Sequence, residues 1–346
     1  MADDSHPAHL SPSELGTKDY WETFYARTLS HLSTKHTTTT TTTSTKPNTE
    51  SSSEESEDEE EDDIDDDSDP GTSWFSEHNA PDKVLQFLTD EEFPLAPVNT
   101  DNSKDGDGDE QAPSILDLGT GNGSMLALLR KRGGYKGVMV GIDYSIRSVQ
   151  LARELQRLRI HSAYLSDSED DGEDEGGKEG EGGDTNIRFE EWDILHGDVY
   201  ETTSEEEGCG DRKGGKVDWF PYDKGGFDIV LDKGTFDAVS LSDEVIPDAD
   251  GAAAAHASGK TVQRRVCERY PGIVRGLVRK GGFVVVTSCN WTEEELVAWF
   301  TRADSTSSGG DGKEDKFVVW GRVEYPRFRF GGREGQGVCT VCFQRV

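Results

Sequence analysis

The run Ile115-Leu116-Asp117-Leu118-Gly119-Thr120-Gly121-Asn122-Gly123 constrains the fold more than any other stretch of the chain. An apolar strand passes through three alternating glycines into a helical pattern. That junction is the first unit of a β/α alternation. A chain built this way forms a parallel sheet with helices on both faces, and its ligands sit at the carboxyl ends of the strands.

The alternation continues downstream. The helix after Gly123 carries Met125, Leu126, Leu128 and Leu129 and ends at Gly133 and Gly134. Further strands are expected at Val138–Ile142, Ile187–Glu190, Phe227–Leu231 and Phe283–Thr287. The last is unbroken in its apolar run, which reads as a central strand buried on both faces. Ser145 is placed to cap a helix with Ile146, Val149, Ala152, Leu155 and Leu158 on one face. Helices are also expected over 262–279 and 292–302. The tail breaks the rhythm: Phe317–Val323 and Val338–Arg345 are two β segments with no helix between them. The expected fold is α/β, a Rossmann-like, seven-stranded, mostly parallel sheet with a C-terminal antiparallel hairpin and helices on both faces.

Only 32% of the 346 residues are apolar, and the deficit is concentrated in a few tracts. Residues 36–45 are nearly all threonine, and 54–69 and 167–184 are dense in acids. Such segments bury too little apolar surface to offset the entropy of ordering, so disorder is expected there. The expected plan is a disordered start (1–10), a helical lid segment (11–29), a disordered linker (30–72) and one domain (73–346). Acidic inserts fall near 99–112, 165–185 and 201–224. The net charge of −34 argues against a nucleic-acid partner, because phosphate binding needs a basic surface. No apolar run approaches membrane-spanning length. The five cysteines are an odd number in a long chain, which implies no disulfide framework. A reduced, cytoplasmic monomer is expected.

Four acids close apolar runs: Asp117, Asp143, Asp193 and Asp232. Two adenosine cofactors would use a glycine turn and a ribose carboxylate, NAD and S-adenosylmethionine. A dinucleotide turn is spaced G-x-G-x-x-G and sets a pyrophosphate on the helix N-terminus. Here the spacing is G-x-G-x-G, and Asp117 precedes it. A carboxylate there repels a pyrophosphate and suits the ammonium of a methionine moiety. Trp192-Asp193 suits an adenine, with a face to stack on and an acceptor for the exocyclic amine. S-adenosylmethionine is the expected cofactor. Structural readings stand beside these: plain turn glycines, Asp143 as a helix cap, Asp193 as a surface acid, Trp192 as core. Before the domain, Thr17 can cap a helix with Tyr20, Trp21, Phe24 and Tyr25, either packed on the domain or acting as a lid. The pair Cys339 and Cys342 lies in a strand pattern that sends the two sulfurs to opposite faces. Neither a zinc site nor a cluster of histidines is expected.

Several longer motifs resemble one family. They are Ser13-Glu14-Leu15-Gly16-Thr17 with Tyr20-Trp21, the glycine run, Gly141-Ile142-Asp143-Tyr144-Ser145 and Trp192-Asp193. They also include Leu231-Asp232-Lys233-Gly234-Thr235-Phe236-Asp237-Ala238 and Thr287-Ser288-Cys289-Asn290-Trp291-Thr292. Together they resemble the translation elongation factor 1-alpha lysine methyltransferases, which are seven-strand methyltransferases. The resemblance implies a protein-lysine substrate on that factor. It implies cofactor contacts at Trp21, Asp117, Gly119, Thr120, Gly121, Asn122, Gly123, Asp143, Tyr144, Ser145, Trp192, Asp193, Ile194 and Asp232. Asp232 is expected near the transferring methyl as an orienting group, with Thr235 beside the amine. Tyr20 and Trp21 would close over the methionine end, and Asn290 would face the substrate. Lys233 would repel a substrate lysine, so it is expected to pair with an acid. The long acidic inserts depart from the family pattern.

Overall fold

The computed structural model describes residues 6–41, 70–71, 75, 78–100, 112–165, 185–199, 216–246, 264–302, 315–330, 333–335 and 337–346. The acidic tracts 54–69 and 167–184 and most of the insert at 201–224 lie outside the described residues.

Among the described residues nine strands form: β1 (Ile115–Leu118), β2 (Met139–Asp143), β3 (Ile187–Glu191), β4 (Phe227–Lys233), β5 (Val278–Ser288), β6 (Phe317–Val323), β7 (Phe328–Phe330), β8 (Arg333–Gly335) and β9 (Cys339–Arg345). Eight helices accompany them among the described residues: α1 (Lys18–Thr41), α2 (Ala80–Thr89), α3 (Pro97–Thr100), α4 (Ser124–Lys131), α5 (Ile146–Leu158), α6 (Thr235–Ser240), α7 (Tyr270–Leu277) and α8 (Glu293–Thr301). Seven strands make one sheet in the order β3-β2-β1-β4-β5-β9-β6, and β7 with β8 make a separate ribbon. The first five strands of the chain pair in parallel. The expected tail hairpin is present, and its second arm goes further than expected. Strand β9 inserts between β5 and β6, antiparallel to both. That covers β5 on its second edge and makes it an interior strand, as its apolar run implies.

Side chains alternate across the strands and feed two cores. Ile115 and Leu231 join one, with α1, α2, α4 and α5 packed over it. Leu116, Leu118 and Val230 join the other, under α6, α7 and α8. Cys342 and Cys339 fall in opposite cores, as a strand's two-residue period requires. Local chemistry sets the helix ends. Ser145 accepts from the Ser148 amide to start α5, and Thr292 with Glu295 forms a capping box on α8.

Three boundaries differ from expectation: residues 6–10, expected in the disordered start, pack on the domain, where the Leu10 carbonyl accepts from Arg265 at 2.6 Å. Helix α1 continues to Thr41, past the expected end of the lid segment at 29. Tyr25, Thr28 and Leu32 are buried, and the helix packs on α5. Pro70 and Gly71, expected in the linker, are buried against the domain, where the Pro70 carbonyl accepts from Asn122 Nδ2 at 3.0 Å. No described helix is long and apolar enough to cross a membrane.

Candidate active site

The chain runs outward from β1 through β2 to β3, then crosses back to place β4 on the other side of β1. A cavity of about 280 Å³ opens over the carboxyl ends of these four strands. Its wall follows the sheet order. Trp192, Asp193 and Ile194 come from the end of β3, and Asp143 and Tyr144 from β2. Gly119, Thr120, Gly121 and Asn122 come from β1, and Lys233, Gly234 and Thr235 from β4.

The glycine turn is built for close approach. Gly119, Gly121 and Gly123 have φ of 59°, 59° and 74°, a region that favours glycine. A Cβ on Gly119 would sit 2.3 Å from Thr235 Oγ1, and one on Gly123 would sit 2.5 Å from the Tyr164 hydroxyl. A Cβ on Gly121 would meet only Tyr25, 3.0 Å from its hydroxyl. The central glycine thus presents bare backbone to the cavity, while the outer two are pressed against the protein.

Asp143 ties this turn to its neighbours. Its Oδ2 accepts from Gly121 N at 3.1 Å and Ser148 Oγ at 2.7 Å, and its Oδ1 accepts from Ser145 N at 2.9 Å. Its own carbonyl accepts from Trp192 N at 2.8 Å, which joins the ends of β2 and β3. Ser145 and not Asp143 caps α5, and Asp143 lines the cavity, which is compatible with its ligand reading.

The N-terminal segment roofs the cavity. Ser13 N donates to the Leu241 carbonyl at 3.1 Å, beyond α6. Tyr144 Oη donates to the Thr17 carbonyl at 3.2 Å, and Ile146 N, opening α5, donates to Glu22 at 3.1 Å. Trp21 Nε1 donates to the Leu15 carbonyl at 2.9 Å, which turns its ring toward Tyr25 and the cavity.

A family model described as a methyltransferase domain matches residues 109–166. Protein-lysine N-methyltransferase EFM4 of Saccharomyces cerevisiae is 30% identical over 336 residues, 97% of this chain and 96% of that protein. The chain belongs to the EFM4 family. Protein-lysine N-methyltransferase efm4 of Schizosaccharomyces pombe is 27% identical over 97% of this chain and 95% of its own length. EEF1A lysine methyltransferase 2 of Homo sapiens is 24% identical over 97% and 88%. As an EFM4-family member the chain is an S-adenosylmethionine-dependent methyltransferase.

Six residues expected at the site of an EFM4-type enzyme do not line the cavity. Asp117 is buried beneath the turn, where Thr120 Oγ1 donates to it at 2.8 Å. Gly123 starts α4 and Ser145 caps α5, both under the wall. Asp232 faces the other side of the sheet: Oδ1 accepts from Thr235 N at 2.9 Å and Phe236 N at 3.1 Å, and Oδ2 from Tyr270 Oη at 2.7 Å. Tyr20 lies on the outside of α1, edge-on to Trp21. Asn290 is exposed after β5, with its amide donating to Ser288 Oγ at 3.2 Å. Thr235 does line the cavity, but its hydroxyl donates to the Leu118 carbonyl at 2.6 Å, so its proton is committed to the wall. Conversely Tyr25, Phe75, His196, Lys233 and Glu244 line the cavity without having been singled out as ligands. The N-terminal histidines, scattered in sequence, also come together. His6 and His9 stack 4.4 Å apart and lean on Trp299, close to Glu268. This is the one metal-capable group among the described residues, and its stacked rings pack the N-terminal arm.

Burial pushes Asp117 up to about 6 and Asp143 up to about 6, the latter against hydrogen bonds from Ser148, Ser145 and Gly121. Burial pulls the Lys233 ammonium down, countered by Asp117 and Asp232. A cationic, hydroxyl-bearing cofactor favours the ionised carboxylates, so its affinity holds above the raised values and is lost as pH falls through them. We expect S-adenosylmethionine affinity to be flat from pH 7 to 8. Below pH 6 it should drop about tenfold per pH unit for each carboxylate the cofactor requires ionised. Calorimetric titrations between pH 5 and 8 check this, and a pH-independent affinity refutes it.

Proposed function

We propose that this chain transfers a methyl group to a lysine of translation elongation factor 1-alpha. The observation that carries the reading is the end-to-end match to protein-lysine N-methyltransferase EFM4, joined by the EEF1A lysine methyltransferases. The cavity fits an adenosyl cofactor in this structure: bare backbone at Gly121, a buried carboxylate at Asp143, and an indole with an acceptor at Trp192 and Asp193. In this reading Asp143 accepts from the ribose hydroxyls, and Trp192, Asp193, Ile194 and Tyr144 surround the adenine. Gly119, Thr120, Gly121 and Asn122 bring the backbone against the sugar and sulfur, and Trp21 closes from above. Asp117 acts through the turn, its charge favouring the methionine ammonium.

S-adenosylmethionine supplies the methyl as part of a sulfonium. The chain's task is alignment, and holding both reactants in line supplies about 7–11 kcal/mol. The attacking lysine must be neutral, which costs about 4.6 kcal/mol at pH 7 from a pKa of ~10.4. Entry of that amine into a dry site beside a cation reduces the cost. Asp232 serves as a positioning residue that holds the Lys233–Thr235 turn. Tyr20 and exposed Asn290 lie outside the cavity wall, where a folded protein substrate would meet them. The elongation factor sets the cytoplasm as the place of reaction.

Incubation with tritiated S-adenosylmethionine and unmethylated elongation factor 1-alpha is expected to label one lysine, found by mass spectrometry of the factor. Label appearing only in small molecules would sink the reading.

A further inference from the structure

Strands β3, β2, β1 and β4 act as a ruler across the cavity. Neighbouring strands are ~4.8 Å apart, so the ruler spans roughly 14 Å. Trp192 and Asp193 mark its β3 end, and Asp143 stands one strand further in. A cofactor laid from adenine through ribose along this line carries its amino-acid tail over β1 and β4. That tail is a zwitterion. Its ammonium calls for an acid and its carboxylate for a cation.

Asp117 on β1, buried beneath the turn, is the acid, and it acts through its charge. Three side chains able to carry positive charge line the cavity among the described residues: Lys18, His196 and Lys233. Two of them belong to the adenosine end. Lys18 Nζ lies 3.9 Å from Glu191 and 5.7 Å from the Tyr144 ring centre. His196 is held between Asp193 at 3.0 Å and Glu244 at 2.9 Å. Lys233 lies at the far end, closing β4, with Nζ 5.4 Å from the centre of the Phe75 ring and with Asp117 and Asp232 near enough to favour its charge. Alternation along β4 turns it to the face of Leu231, the face that Asp117 shares through Ile115.

We propose that Lys233 binds the carboxylate of the cofactor's amino-acid tail; this rests on the cofactor reading of the cavity given above. Asp117 and Lys233 then form a matched pair for the two charges of one α-amino acid. The assignment also resolves a conflict, since an ammonium in the wall would repel a substrate lysine. The tail carboxylate adds to the negative charge that Asp117 and Asp232 already bring to Lys233, so the acceptor amine can approach.

The test is calorimetry on the full chain with three ligands. They are S-adenosylhomocysteine, S-adenosyl-3-thiopropylamine (which lacks only the carboxylate) and 5′-methylthioadenosine (which lacks the whole tail). The unaltered chain is expected to prefer S-adenosylhomocysteine over the thiopropylamine by about 10- to 100-fold, as a charge-assisted contact to a carboxylate allows. In Lys233→Met that ratio should collapse to within about threefold while methylthioadenosine affinity holds, which also reports an intact fold. Lys233→Arg should restore part of the preference. A Lys233→Met chain that keeps the ratio, or loses all three ligands equally, would overturn the assignment. Failure of the unaltered chain to bind any of the three would overturn the cofactor reading itself, and this inference with it.

Discussion

Replacing Asp143 by alanine is expected to abolish measurable cofactor binding. One carboxylate does two things there. It accepts from Gly121 N, Ser148 Oγ and Ser145 N, which pins the glycine turn to the start of α5. It also faces the cavity at the second strand end, where a ribose would offer its hydroxyls. Alanine removes the ligand's acceptor and leaves two amides without their partner, while the Ser148 hydroxyl keeps the Gly121 carbonyl at 2.8 Å. Losing charge-assisted bonds to two hydroxyls alone corresponds to about 100-fold or more in affinity. The unfolding temperature should fall far less than binding does, because removing a carboxylate whose charged form burial disfavours offsets part of the lost bonding. Asp143→Asn separates the two roles, since the amide keeps one acceptor for Ser145 and loses the anion. Calorimetry that finds alanine within threefold of the unaltered chain would end the ribose assignment.

Much of the fold was legible because its cause is local and periodic. Strands buried on both faces read as continuous apolar runs, and Phe283–Thr287 stood out as central for that reason. Asp143, Trp192 and Asp193 were legible as cavity residues because a parallel sheet exposes its carboxyl ends. The insertion of β9 between β5 and β6 was not, because the hairpin pattern fixes which segments pair and not which arm reaches the sheet. Nor was the length of α1. Its last turns run into threonines, which carry no apolar periodicity and a poor helix propensity.

The misplacement of Asp232 has a single geometric origin. Read as ending at Leu231, the fourth strand leaves Asp232 and Lys233 in a loop, where both could turn toward a ligand. In the fold β4 continues to Lys233, and its two-residue period sends them to opposite faces. Lys233 therefore lines the cavity and Asp232 sinks toward Tyr270. Pairing decides where a strand ends: β1 holds β4 as far as Asp232, and the register with β5 carries it on to Lys233.

That origin makes Asp232→Ala the second large effect, and one of stability. Asp232 is 1% exposed and caps α6 from below. Burial pushes it up to about 7, and its neighbour Asp237 adds to this. Two of its three donors, the amide of Phe236 and the phenol of the fully buried Tyr270, are buried, and the third, the amide of Thr235, is part-buried. Stranding buried donors costs about 1–3 kcal/mol each, less the relief from no longer burying the acid, for a net of about 3 kcal/mol. For a domain of this size that lowers the melting temperature by about 6–12 °C. Asp232→Asn keeps an acceptor for both amides and carries no charge to desolvate, so it should stay within about 1 kcal/mol of the unaltered chain. A group that met the transferring methyl would behave in the opposite way. Alanine would then be as stable as the unaltered chain, within about 2 °C, and asparagine would match it in lost turnover. Melting curves for the two variants, with their cofactor affinities, tell a residue that holds the Lys233–Thr235 wall in place from one that touches the reacting atoms.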